Sequence, residues 1–333
     1  MTMKIGLYMA TQWPQGADLG QEMANLCEQT RAAKENGFAS VLVGQHFLSE
    51  PLQMIQAEPL LARLVVEGEG MEFGIAIVLL AMQNPVIVAE YAASLDWITG
   101  GKYILGVGVG YRQEEFEGLG VPFEERRSRF EEAIPLIRRL WTEDKVEHRG
   151  EHFTVGGLSA SIRPKQAGGP PIWVGGEVPP AVRRAARLGC PWVIPPTMHW
   201  DDAVHRLGVY KAAMAEAGTR NPHGQPLIRE VVIGETREAA MAAAGPHLLA
   251  KYESYASWGQ TAASEGSLAD RFDEFCANRF IIGDEAEVAD EMARYRDEMG
   301  VDHFLVRLQW PGFGQKGVLD AVERIGRIAA RLG

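Results

Sequence analysis

Glu72-Phe73-Gly74-Ile75-Ala76-Ile77-Val78-Leu79-Leu80 is followed by Asn84-Pro85, then by a run carrying Val88, Tyr91, Leu95 and Ile98. The pair Gly100-Gly101 comes next, and then Tyr103-Ile104-Leu105-Gly106-Val107-Gly108-Val109. The first segment is apolar almost without a break, the pattern of a strand buried on both faces. Asn84 offers a side-chain oxygen to a helix N-terminus, and Pro85 suits the first helical position. The spaced apolar residues give a buried stripe, and the glycine pair stops the helix. The stretch therefore reads as strand, helix, strand, the unit from which parallel sheets are built.

The same unit repeats in both directions. Strands are expected at Lys4 to Ala10, Ser40 to His46, Pro171 to Val174, Trp192 to Ile194, Leu227 to Ile233 and His303 to Leu308, with helical periodicity after each. Thr142 to Pro170 interrupts the rhythm with polar and apolar residues in alternation and reads as a small β excursion. Thr236 to about Phe280 reads as a long helical region. Eight strand–helix units predict an α/β chain folded as a (β/α)8 TIM barrel. It carries a helical insertion between strands seven and eight and forms one domain over residues 1–333. A doubly wound sheet is the alternative, but no linker splits the chain.

The chain has 333 residues, 46% of them hydrophobic and 23% charged, as in ordinary globular proteins. Its 33 basic and 44 acidic residues leave a net charge of −11. That balance argues against nucleic acid or an anionic membrane surface as a partner. The longest strongly apolar run, Gly74 to Met82, is far shorter than the ~20 residues of a membrane helix. Cys27, Cys190 and Cys276 are scattered, without metal-ligand spacing, and suit a reducing cytoplasm. Walker A, HExxH and GxSxG patterns are absent.

Barrel chemistry sits where the strands end. Strand two ends at Gln45-His46, and His46 could pass a proton near neutral pH or simply pack under a loop. Strand three offers Ala76 and Ile77, small and branched, either as plain core or as a surface pressed on a flat ring. Strand four runs through three alternate glycines into Tyr111 and Arg112, where a third Rossmann glycine is missing. Arg112 is a candidate for phosphate or substrate contact, or a solvated arginine. Gly175-Gly176-Glu177-Val178 precede a helix directly, which makes either an anion site or a tight turn. Arg307 and Trp310 end strand eight and could hold a substrate, although a buried Arg–carboxylate pair would explain the arginine equally well.

Taken together, Lys4-Ile5-Gly6-Leu7, Val43-Gly44-Gln45-His46-Phe47, Asn84-Pro85-Val86, Leu95-Asp96 before Gly100-Gly101-Lys102, the Gly106–Gly110 run with Glu114-Glu115-Phe116, and Pro171-Ile172-Trp173-Val174-Gly175-Gly176 resemble the bacterial luciferase-like monooxygenases. The resemblance covers nearly the whole chain and implies a barrel with a late insertion. It implies reduced FMN, or the deazaflavin F420, bound without a covalent link. It puts the flavin phosphate at Gly175, Gly176, Glu177 and Val178. The ring falls against Ala76-Ile77, where relatives carry a bulge and often a cis peptide, and Tyr111 and Arg112 fall where relatives contact flavin or substrate. Luciferases proper carry Glu-His-His-Phe where this chain has Gly44-Gln45-His46-Phe47, and their strand-four arginine is Val109 here. The glutamate that F420-dependent sugar-phosphate dehydrogenases place after the strand-four glycines is Tyr111, which favours FMN.

The expected function is the FMNH2-using monooxygenase component of a two-component system. Its partners are O2, a small organic substrate and a separate NAD(P)H:flavin reductase, and the chain forms a homo-oligomer. His46 and Gln45 are expected to hydrogen-bond the reacting oxygen, and Arg307 and Trp310 to orient the substrate. An F420-dependent hydride-transfer enzyme and a non-catalytic flavin-binding subunit are the alternatives.

Overall fold

A computed structural model describes residues 3–257 and 267–332. All eight expected strands are present: β1 (Lys4–Met9), β2 (Ser40–Val43), β3 (Glu72–Leu79), β4 (Tyr103–Gly108), β5 (Ile172–Gly175), β6 (Trp192–Val193), β7 (Pro226–Ile233) and β8 (His303–Arg307). They pair in parallel in the order β6-β5-β4-β3-β2-β1-β8-β7. Neighbours in the sheet are thus neighbours in the chain, with β1 beside β8. The sheet curls until Ile194, just past β6, bridges Leu227 of β7. This is a mixed α/β fold around a curled parallel sheet, not a doubly wound one.

The decisive β3–β4 unit forms as its residues dictate. Only Glu72 and Ile77 of β3 are less than fully buried. The Asn84 side chain accepts the Val86 N–H at 2.9 Å, opening the helix Pro85–Ile98. Gly100 and Gly101 both take positive φ after its end. The expected β excursion is a hairpin, Val146–Arg149 against Thr154–Leu158. Buried Asp96 ties the segment after it to the core by accepting the backbone and side-chain N–H of Gln166 at 2.7 and 2.6 Å.

Between β7 and β8 lie the helix Arg237–Ser257, a short helix Phe272–Cys276, a strand Ile281–Gly283 paired with the top of β7, and the helix Glu285–Met299. Part of the expected helical region, 258–266, lies outside the described residues. Short elements escaped the sequence reading: the helix Gln113–Gly118, the strand Ile281–Gly283, and the antiparallel pair Gln12–Pro14 with Leu52–Met54. Each is too short for periodicity to register.

The N-terminal end of the curl is sealed by a buried polar contact. His303 Nε2 meets Ser40 Oγ at 2.7 Å, and the edge of Trp173 packs on the ring. Burial, with Lys4 nearby, pushes the imidazole down to about 3, so it stays neutral in the fold. Unfolding frees it to take a proton below its ordinary value of 6.5. Native stability should therefore be intact above that pH and fall as pH drops toward 3. The loss should be about 1.4 kcal/mol per pH unit, or about 2 kcal/mol by pH 5. Urea titrations of the protein and of His303→Gln at both pH values check this: the variant should lack that increment of pH dependence.

Candidate active site

At the C-terminal ends of the strands the curl opens into a cavity of about 700 Å³. That is within the range of small-molecule and cofactor sites. Its shelf is Ala76 and Ile77. Their peptide is cis, and the β3–β4 register shifts between Ile75 and Val78. The Tyr8 hydroxyl donates to the Ala76 carbonyl at 2.6 Å and so holds this bulge from β1. Gly106 is required here, because a Cβ would lie 2.5 Å from the Ile75 carbonyl oxygen.

Gly175, Gly176, Glu177 and Val178 form another wall. Val178 precedes the first turn of the helix Pro179–Arg187, whose two leading prolines have no N–H to offer. A Cβ on Gly176 would lie 2.6 Å from the Ala181 Cβ, so the turn can pack on its helix only as glycine. The Glu177 carboxylate accepts from Thr197 Oγ1 at 2.9 Å. Arg126, Arg127 and Arg184 line the same cavity. Arg184 is paired with Glu131, whereas Arg126 donates to the Phe123 carbonyl, which does not neutralise it. Burial and the adjacent Arg127 lower the affinity of Arg126 for its proton. The amides of the turn before the helix, with the arginines that line the same cavity, together favour a phosphate.

His46 stands at the end of β2 on the cavity wall, edge-on to the ring of Tyr111. Its Nδ1 lies 3.0 Å from Oε1 of Glu115, which is fully buried and also accepts the Phe47 N–H at 2.9 Å. A carboxylate on Nδ1 fixes the ring's orientation and tautomer, and turns Nε2 the opposite way. Sequence analysis names Glu115 only within the family resemblance and gives it no role. Its signal was the Glu114-Glu115-Phe116 run after the strand-four glycines, whose second acid is buried.

Arg112 and Trp310 do not line the cavity, whereas Gln45 does, with its amide already engaged. Gln45 is 3% exposed, and both ends of its amide are engaged. Nε2 donates to Glu58 at 2.8 Å, while Oε1 accepts the Leu79 N–H at 3.0 Å and Gln83 Nε2 at 2.9 Å. It lines the cavity and ties β2 to the top of β3, with its carbonyl oxygen already bonded twice. Replacing it by leucine should cost about 3 kcal/mol of stability, through the donors and acceptor left buried, and should show as a lower midpoint in urea. Arg112 does not line the cavity. It is buried, reaches the Phe47 and Leu48 carbonyls at 3.4 Å, and lies 3.7 Å from Glu115. Trp310 is 2% exposed and donates its indole N–H to Glu230 at 2.8 Å, away from the lining.

Arg307 does line the cavity, and the buried Arg–carboxylate pair is also real. Its Nη1 donates to Glu230 at 3.2 Å, and its guanidinium lies 4.3 Å from the Tyr8 ring centre. Lys251, from the helix Arg237–Ser257, donates to the same carboxylate, as does the Tyr252 hydroxyl at 2.8 Å. Burial, then Arg307, push Lys251 down to about 7 against the pull of Glu230. Burial opposes charge on Glu230, but Lys251 and Arg307 outweigh it and hold its carboxyl below the ordinary value. Neither Glu230 nor Lys251 emerged from the sequence.

A family description, luciferase-like monooxygenase, matches residues 3–303. The chain belongs to that family. Among luciferase-like relatives, it is 28% identical to an F420-dependent glucose-6-phosphate dehydrogenase of Rhodococcus hoagii (strain 103S), over 90% of this chain and 91% of that one. It is 26% identical to the oxygenase component of a flavin-dependent trigonelline monooxygenase of Acinetobacter baylyi, over 86% and 82%. Its fold is similar to the oxygenating constituent of 3,6-diketocamphane monooxygenase of Pseudomonas putida, solved with FMN. The TM-score is 0.80 at 19% identity, covering 99% of each chain. The luciferase-like chain described here is thus a flavin- or F420-dependent oxidoreductase. Among the described residues no helix is long and apolar enough to cross a membrane, and no cluster of acidic, His or Cys side chains could hold a metal ion.

Proposed function

We propose that this protein is the oxygenase of a two-component flavin monooxygenase. It takes reduced FMN from a separate NAD(P)H:flavin reductase and uses O2 to oxygenate a small organic substrate. We read the curled sheet as a (β/α)8 barrel, and the stretch between β7 and β8 as the helical insertion that walls its mouth.

The observation that carries this reading is the cavity's two-part lining. A flat apolar shelf at Ala76-Ile77 suits a ring, and a turn of backbone amides at Gly175–Val178, in a cavity also lined by Arg126 and Arg127, suits a dianionic phosphate. These residues fit FMN. Bound there, the reduced flavin would supply the electrons and the carbon at which O2 reacts. The chain's own part is to grip the phosphate, support the ring, keep water out through the apolar lining, and aim His46 at the reacting oxygen through Nε2. Glu115 positions His46, and Arg112 holds the Phe47–Leu48 loop that carries it. Tyr111 closes one side of the ring site, and Arg307 orients the substrate.

F420 is the second reading, favoured by the dehydrogenase relatives. Against it stands Tyr111, a group that does not act as an acid at neutral pH, at the end of β4. Anaerobic titration separates the two. Reduced FMN should bind at micromolar concentration or better and F420 at least tenfold more weakly; the reverse order would replace this reading by hydride transfer.

A further inference from the structure

We propose that the end of the cavity between Lys251 and Arg307 is a seat for a carboxylate, so that the substrate is a small organic acid with an apolar body. The inference rests on the proposed function in one respect: it assigns the shelf and the Gly175–Val178 turn to the flavin, leaving this end for substrate.

Charge and hydrogen-bond capacity carry the argument. Lys251 and Arg307 both line the cavity, and both are more than nine-tenths buried. The acid they share is Glu230, which is wholly buried and saturated: Lys251, Arg307 and Tyr252 donate to Oε1, and Trp310 donates to Oε2. With Lys251 protonated, two cations face one anion, an excess of one positive charge out of water. A buried charge is costly unless paired. The cations also hold donors in reserve. An ammonium has three N–H groups and a guanidinium five; each gives one bond to Glu230, and Arg307 also meets the Tyr8 and Tyr255 hydroxyls, which leaves N–H groups over on both. Arg307 Nε is buried with no partner among the described residues. A carboxylate would cancel the excess with one charge, where a phosphate dianion would overshoot it. The lining nearby includes Ile228, Val193 and Ala76, with the hydroxyls of Ser254 and Tyr255 on the helix that carries Lys251. That suits a hydrocarbon or aromatic body behind the acid.

Contact runs on to the shelf. Arg307 stacks on Tyr8, and Tyr8 donates to the Ala76 carbonyl at the bulge. An acid held between the two cations would therefore project its body toward the ring site.

The test is calorimetry with benzoate and its uncharged isostere benzamide, on the FMN-loaded and the flavin-free protein. Benzoate should bind at least tenfold more tightly, about 1.4 kcal/mol. The groups facing Lys251 are Glu230 on β7, Arg307 on β8, Tyr8 on β1, and Tyr252 and Tyr255 on its own helix. Of these and Lys251, only the lysine changes charge near neutrality. An arriving anion raises its proton affinity, so at about pH 8 benzoate should bind with uptake of a fraction of a proton and benzamide with none. Two buffers of different ionisation enthalpy read this on the wild-type protein. Lys251→Met should weaken benzoate about tenfold or more and leave FMN within about twofold. Equal binding of the two probes, or a Lys251→Met variant that binds benzoate as tightly as the wild type, overturns the proposal. So does a Lys251→Met variant that loosens FMN and spares benzoate, which would give the excess charge to the flavin. If benzoate binds with proton uptake to a protein that takes up no FMN, the carboxylate seat stands and the FMN reading falls.

Discussion

Gly175→Asp should weaken FMN binding by more than a hundredfold, while Gly175→Asn weakens it by only a few-fold. The two side chains have nearly the same shape, so each meets the same neighbour. A Cβ here comes within 3.1 Å of Ile77 Cγ2, a contact that a small shift of that side chain relieves. The difference between the variants is then one negative charge beside a phosphate. At a separation of about 5 Å and an effective dielectric of about 20, each pair of unit charges costs about 3 kcal/mol, and every 1.4 kcal/mol is tenfold in affinity. Quenching of flavin fluorescence on titration gives both constants. Equal loss in the two variants would mean that the turn is shaped for packing and not for an anion.

His46→Ala should slow the reaction of bound reduced FMN with O2 by about a hundredfold or more, the usual contribution of a positioned proton-transfer group. His46 lines the cavity and its Nδ1 lies 3.0 Å from Glu115, so the proposed proton transfer falls to its other nitrogen. Glu115→Gln keeps the shape but weakens that orienting contact, and should cost about tenfold, without the whole loss seen in the alanine variant. Stopped-flow mixing of the reduced complex with oxygenated buffer measures all three proteins. An unchanged rate in His46→Ala would leave the histidine a packing role only.

Much of this architecture was legible because it depends on local signals. The apolar run of β3, the Asn84-Pro85 cap and the glycine stops each announce an element. The Gly175-Gly176 pair before two prolines announces a tight turn at a helix start. The errors share one cause. Arg112 and Trp310 both lie near the mouth of the sheet, as a site residue should, yet each side chain turns into the fold and spends its hydrogen bonds on neighbours distant in sequence; Gln45 lines the cavity but spends its amide the same way. Sequence position sets where a residue starts and not which way it points.

The Glu230–Lys251–Arg307 cluster was missed for the opposite reason, since its members lie on three elements that only packing brings together. One sign was available. Arg229-Glu230 is a charged pair inside an otherwise apolar strand, and in a strand buried on both faces a charge requires a partner. Arg229 faces away, to Tyr295 and the Pro195 carbonyl, and its neighbour faces the cavity cluster.

Crystals grown with FMN test the central claim most directly. The account predicts density for the ring against Ala76 and Ile77, with its phosphate within hydrogen-bond reach of the backbone amides between Gly175 and Val178. A ring lodged elsewhere, or a phosphate seated away from that turn, would contradict it.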